Sequence, residues 1–95
     1  MRHPRMEKFA KSFPSLKEAE GLSPWEPYKL CQWGKSYGKG STELNAVRFV
    51  LWIFNPQLLY PCGRFELWEA MLSFEDGDRE AFAQWVKSPW WLLGR

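Results

Sequence analysis

The side chains whose type and spacing suit chemistry fall in a few short stretches. The first, residues 34–42, reads GKSYGKGST and holds Lys35, Lys39, Ser41 and Thr42 among glycines. Glycine-rich turns that lead into a helix present free backbone amides, and such amides hold phosphate. The nucleotide-binding form of this loop needs Lys followed at once by Ser or Thr. Here Gly40 stands between Lys39 and Ser41. No strand pattern precedes the loop, and 95 residues leave no room for the parallel sheet on which such sites sit. What survives is an anion site for a single phosphate or sulfate, built from Lys35, Lys39, Ser41 and Thr42. The plainer account is a linker whose glycines end one helix and whose Ser41 or Thr42 caps the next.

The second stretch surrounds Arg48. Asn45, Arg48, Trp52 and Asn55 recur at helical spacing and form a narrow stripe. Arg48 is the only charge in the run NAVRFVLWIF. A guanidinium in that setting could grip a carboxylate or phosphate through two parallel hydrogen bonds, with Trp52 stacked beside it. The competing account is an internal pair with Glu66 or Glu69, because a charge on a buried helix needs a partner.

The third stretch is EDGDRE, residues 75–80. Its oxygens suit calcium or magnesium, but the spacing of a calcium-binding loop is missing. Acidic residues at the start of a helix already have a purpose as caps and as partners of the helix dipole. No metal site is expected. Cys31 and Cys62 are far apart and belong to no CxxC motif, and with His3 they make three zinc-type ligands where a structural site uses four. The two cysteines are expected to be buried free thiols, and their spacing does not tell whether they meet. A lone histidine in a basic segment leaves no nucleophile–base pair. A non-enzymatic protein without a cofactor is therefore expected.

Seven Trp, seven Phe and three Tyr supply an aromatic core of the kind a small domain needs. Trp90 and Trp91, near the end of the chain, are the two expected to be partly exposed and to offer a sticky surface. Net charge is only +2, but its distribution is uneven. Residues 1–17 hold five basic groups against Glu7, a surplus of four, so the segment reads as a basic arm. Such an arm could track phosphates of a nucleic acid. The longest apolar run, residues 49–54, is far too short for a membrane span. No secretory leader is evident in residues 1–17, and a cytoplasmic location is expected.

These candidates must be positioned by helices. Met6, Phe9, Ala10 and Phe13 keep the spacing of one helical face between Pro4 and Pro14, which predicts a short helix that docks on the body. A single turn is expected over 15–21. Ser23 as cap and Pro24 in the first turn predict a helix over 24–36, with Tyr28, Leu30, Cys31, Trp33 and Tyr37 on its broad apolar face. A helix over about 42–54 is apolar nearly all round, so it should be central and buried. A helix over 64–73 is predicted with Phe65, Leu67, Trp68, Met71 and Leu72 facing inward. A last helix, REAFAQWVK, is capped by Asp76 or Asp78 and turns Ala81, Phe82, Trp85 and Val86 inward. The apolar tail 89–93 should fold back. The chain is thus expected to be an all-α, small single domain of four or five short helices packed around the buried central helix. Its expected role is that of a small helical protein-interaction module. The contact surfaces would be Arg48, Trp52, Trp90 and Trp91, and the partner a second protein or a second copy. Nucleic-acid binding through the basic arm is the alternative.

Overall fold

The computed structural model describes residues 3–37 and 41–92, apart from the side chains of Tyr37 and Ser41. Helix α1 (Pro4–Lys11) opens with proline in its first turn, where the missing N–H is no loss. Its inner face buries Met6 and Ala10 completely, and Phe13 just beyond it is equally buried. Residues 4–13 are therefore docked on the body through this apolar face. Pro14 stops the helix, and a single 3-10 turn (Pro14–Leu16) follows, which sends Leu16 into the core. The expected turn thus lies slightly earlier than its Ser15 and Gly21 signals suggest.

Helix α2 (Pro27–Tyr37) begins three residues after the Ser23–Pro24 signal. The reason is a turn at Gly21, whose φ is +90°. The Gly21 carbonyl accepts the N–H of Glu26 at 2.8 Å, and a Cβ on Gly21 would lie 2.6 Å from the backbone nitrogen of Leu30. The turn drives Trp25 inward as a core residue, and the second proline, Pro27, then starts the helix.

Helix α3 (Ser41–Phe54) is the centre. Ala46, Val47, Phe49, Val50 and Ile53 are fully buried, as expected for a helix apolar nearly all round. Helices α1 and α2, the 3-10 turn and helix α4 (Leu67–Ser73) all pack on it. Helix α5 (Asp76–Lys87) closes the domain. The tail then returns: the Leu92 N–H donates to the Ile53 carbonyl at 3.0 Å, and the Trp85 indole N–H donates to the Trp90 carbonyl at 2.8 Å. The all-α prediction holds: the described residues form five α-helices without a strand, and α1, α2 and α4 pack on α3. No helix among them is long and apolar enough to cross a membrane.

Two inward faces differ from expectation. Tyr28 and Val86 lie at the margins of their helical faces and are half or more exposed. The larger departure concerns α4, described next.

Candidate functional site

Helix α4 is turned inside out. Its residues Leu67, Trp68, Met71 and Leu72 fall on one side at helical spacing, and Glu69, Ala70 and Ser73 on the other. The polar side is the inner one. Ala70 is fully buried, whereas Trp68 is 63% and Leu72 78% exposed. Leu67 is also exposed, and only Met71 keeps partial cover. The prediction that Leu67, Trp68 and Leu72 face inward is thus corrected.

The physical cause is a set of polar contacts from α3. Thr42 Oγ1 donates to the Ser73 carbonyl at 2.7 Å, and Asn45 Nδ2 donates to Ser73 Oγ at 3.0 Å. One helical turn on, Arg48 Nη1 meets Glu69 Oε1 at 3.1 Å. These three residues sit at every third position of α3 and bind two residues four apart on α4, Ser73 and Glu69. Ala70 between them has no bulk to hold the helices apart. Asn45 is buried and the other groups are partly buried. A buried polar group left unpaired costs about 1–3 kcal/mol, comparable with burying a leucine. The polar face therefore takes the inner position.

The helix also begins later than expected, at Leu67, because Phe65 is held elsewhere. Its ring stacks on Trp52 at 5.7 Å and packs on Phe49 at 4.9 Å, which keeps the chain extended through Glu66. Arg48 fixes the preceding loop. Its Nε donates to the Cys62 carbonyl at 2.7 Å, and the guanidinium lies across Gly63, whose φ of +98° and missing Cβ admit it. Arg48 is thereby an internal brace, with Glu69 as one of its two anticipated partners.

Beside α4 this loop shapes a groove of about 610 Å³. Leu58, Leu59, Leu67, Trp52 and Phe65 give it apolar walls, and Arg48 and Arg64 are the only charged groups in the lining. Glu69 neutralises Arg48. Arg64 is exposed at the rim, and no hydrogen bond or ion pair holds it among the described residues. At the far side of the loop, burial pushes the Tyr60 hydroxyl up to about 12, reinforced by the neighbouring Tyr28.

The other residues singled out from the sequence are dispersed. Trp52 lines the groove wall. Trp90 is half-buried on the opposite margin, against Phe9 at 5.2 Å and with the Arg5 guanidinium 3.8 Å over its ring. Trp91 is packed edge-on against Trp52 and Trp85, at 5.2 and 5.1 Å, and so belongs to the core side. Of the anion-site group, Lys35 is exposed on α2, and Thr42 is engaged with Ser73. Lys39 and the side chain of Ser41 lie outside the described residues. In the acidic run, Asp78 is buried and its Oδ1 accepts the Ser15 N–H at 3.2 Å. Among the described residues no group of three or more His, Cys, Asp or Glu side chains converges to hold a metal ion.

The fold and this surface define a small all-α domain that carries an outward apolar helix. Comparison with known protein families, characterised proteins and solved structures finds no match. Sequence reasoning passed over Leu58, Leu59 and Arg64. The signal was present: two consecutive leucines in a loop bounded by Pro56 and Pro61 have no regular element to bury them.

Proposed function

We propose that this chain is a protein-interaction module, and that it docks its partner on the outer face of α4 and the adjoining groove. The observation that carries the proposal is the orientation of α4, which places Leu67, Trp68 and Leu72 in solvent. Large apolar side chains gathered on one surface mark interaction sites, and a tryptophan among them is the commonest anchor. The occupant is a segment of another protein with apolar side chains and a carboxylate. The groove's charged lining is two guanidiniums without a carboxylate. Arg64 has no partner among the described residues and is placed to form a charge-assisted pair at the rim.

The test is selection of peptides from a random display library by the purified chain. Enriched peptides are expected to combine apolar residues with Asp or Glu, and to bind the variants Leu72→Asp and Arg64→Glu about tenfold or more weakly. Enrichment that is indifferent to both variants would refute the proposal. Sedimentation equilibrium of the chain alone supplies the second arm. A dimer dissociated by Leu72→Asp would assign the face to a second copy and overturn the heterologous partner.

A further inference from the structure

Helix α1 sorts its charges as well as its apolar residues. Its one acid, Glu7, is turned inward and is buried, where its carboxylate accepts the His3 N–H and the Ser23 hydroxyl, each at 3.2 Å. Its cations are turned outward. Arg5, Lys8 and Lys11 stand at every third position and are exposed. Among the described residues no ion pair or hydrogen bond engages their side chains. Lys8 and Lys11 suit the last turn of the helix, but Arg5 in the first turn stands against the helix dipole. What holds Arg5 instead is Trp90, over whose ring its guanidinium carbon lies at 3.8 Å. This pair forms one end of a groove of about 530 Å³ between α1 and α5. Phe9, Ala81 and Trp90 supply its apolar walls, and Glu80 and Gln84 of α5 stand on the rim across from Arg5. Both are exposed, and Glu80 makes no ion pair across the groove.

We infer that the groove between α1 and α5 binds single-stranded nucleic acid, with a base between the Arg5–Trp90 stack and the α5 rim and the adjoining phosphates on Arg5, Lys8 and Lys11. This inference stands apart from the docking proposal, since it uses no side chain of the α4 face. Unpaired bases stack on aromatic rings and on guanidinium planes, while cations track the backbone. Base edges offer an amino donor to a carboxylate such as Glu80, and a donor beside an acceptor to an amide such as Gln84. Charge complementarity selects this occupant over the other anions. An acidic peptide would be drawn to α1 but repelled by Glu80, whereas a base is neutral and carries hydrogen-bond donors for that carboxylate. A lipid surface calls for large apolar side chains beside the cations, and α1 exposes none. A duplex keeps the faces of its bases within its own stack, so it presents phosphates to α1 and nothing to the groove.

The experiment titrates a short fluorescein-labelled oligodeoxycytidine with the full chain and reads fluorescence anisotropy at several salt concentrations. Affinity should fall with salt with a log–log slope of about −2, since three phosphate contacts contribute roughly 0.7 each. Arg5→Glu should weaken binding about tenfold or more. Arg5→Lys keeps the charge and loses the planar stack, so it should keep the slope and weaken binding about threefold. Oligodeoxythymidine, which offers a carbonyl where cytosine offers its amino group, should bind about threefold more weakly, and Glu80→Gln should erase that preference. Leu72→Asp should bind as the parent chain does, which separates this groove from the α4 face. Arg5, Glu80 and Leu72 are all exposed, so circular dichroism should report the parent helix content in every variant. Absence of binding at low salt would overturn the proposal, and so would an Arg5→Glu variant that binds as the parent does. A duplex, polyglutamate or phosphatidylserine vesicles bound as tightly as the single strand at the same salt would overturn it in favour of that other occupant.

Discussion

Phe49 and Leu72 are both large, apolar and helical, yet one is fully buried and the other is 78% exposed. They represent two sides of the molecule. On the Phe49 side, six aromatic rings lie 4.9–6.1 Å from its own: Phe9, Phe13, Trp52, Phe65, Phe82 and Trp85. Cover there is supplied by the chain itself, through α1, α5 and the returning tail. On the Leu72 side an equally apolar helical face has no such cover among the described residues. The comparison teaches that burial here is decided by which face carries the hydrogen bonds. The first side is held together by dispersion and hydrophobic burial. The second is oriented by Thr42, Asn45 and Arg48, and its apolar side chains are left for another molecule.

The sharpest way to break this contrast is to empty the first side. Phe49→Ala should destabilise the domain by about 3–5 kcal/mol, since no neighbour can collapse into a hole ringed by other rings. Urea unfolding followed by tryptophan fluorescence measures it. A loss below about 1 kcal/mol would show the aromatic side to be loosely packed and would remove the distinction. Trp91→Ala probes the margin of the same cluster. Trp91 is half-buried between Trp52 and Trp85, and its indole N–H is buried without an acceptor among the described residues. Removing it forfeits two edge-on ring contacts but also relieves an unsatisfied donor, so the cost should be smaller, about 2 kcal/mol. If it equals that of Phe49→Ala, the tail is part of the central core rather than its cover.

The two sides also differ in how far sequence alone could reveal them. The central helix is the run 41–54, within a residue of its predicted start, because an apolar run with caps and a closing Asn-Pro leaves few alternatives. The docking of α1 through Met6, Ala10 and Phe13 follows from spacing that a nine-residue segment between prolines cannot use alone. The return of the tail follows from its composition. Helix α4 defeats the same logic. Hydrophobic periodicity finds its apolar face correctly and assigns it to the core. What decides the orientation is Ser73 and Glu69 meeting residues more than twenty positions earlier, a pairing that no local pattern encodes. The groove that Arg48 braces is hidden for the same reason, since it depends on where the loop lies against α3.

The smallest expected effect is the most informative about the exposed side. Leu72→Ser replaces a large apolar side chain by a small polar one, a change that in a core would cost several kcal/mol. At a position 78% exposed it should change the stability of the chain by no more than about 0.5 kcal/mol. Differential scanning calorimetry at several protein concentrations checks this. A loss above about 1 kcal/mol would mean that the α4 face is covered in solution. The concentration series then tells by what, since a midpoint that climbs with concentration in the parent chain and not in the variant marks self-association. A large loss with no concentration dependence would place Leu72 under this chain's own residues and erase the difference between the two sides. A negligible loss, with peptide binding abolished, would leave stability to the aromatic side and recognition to α4.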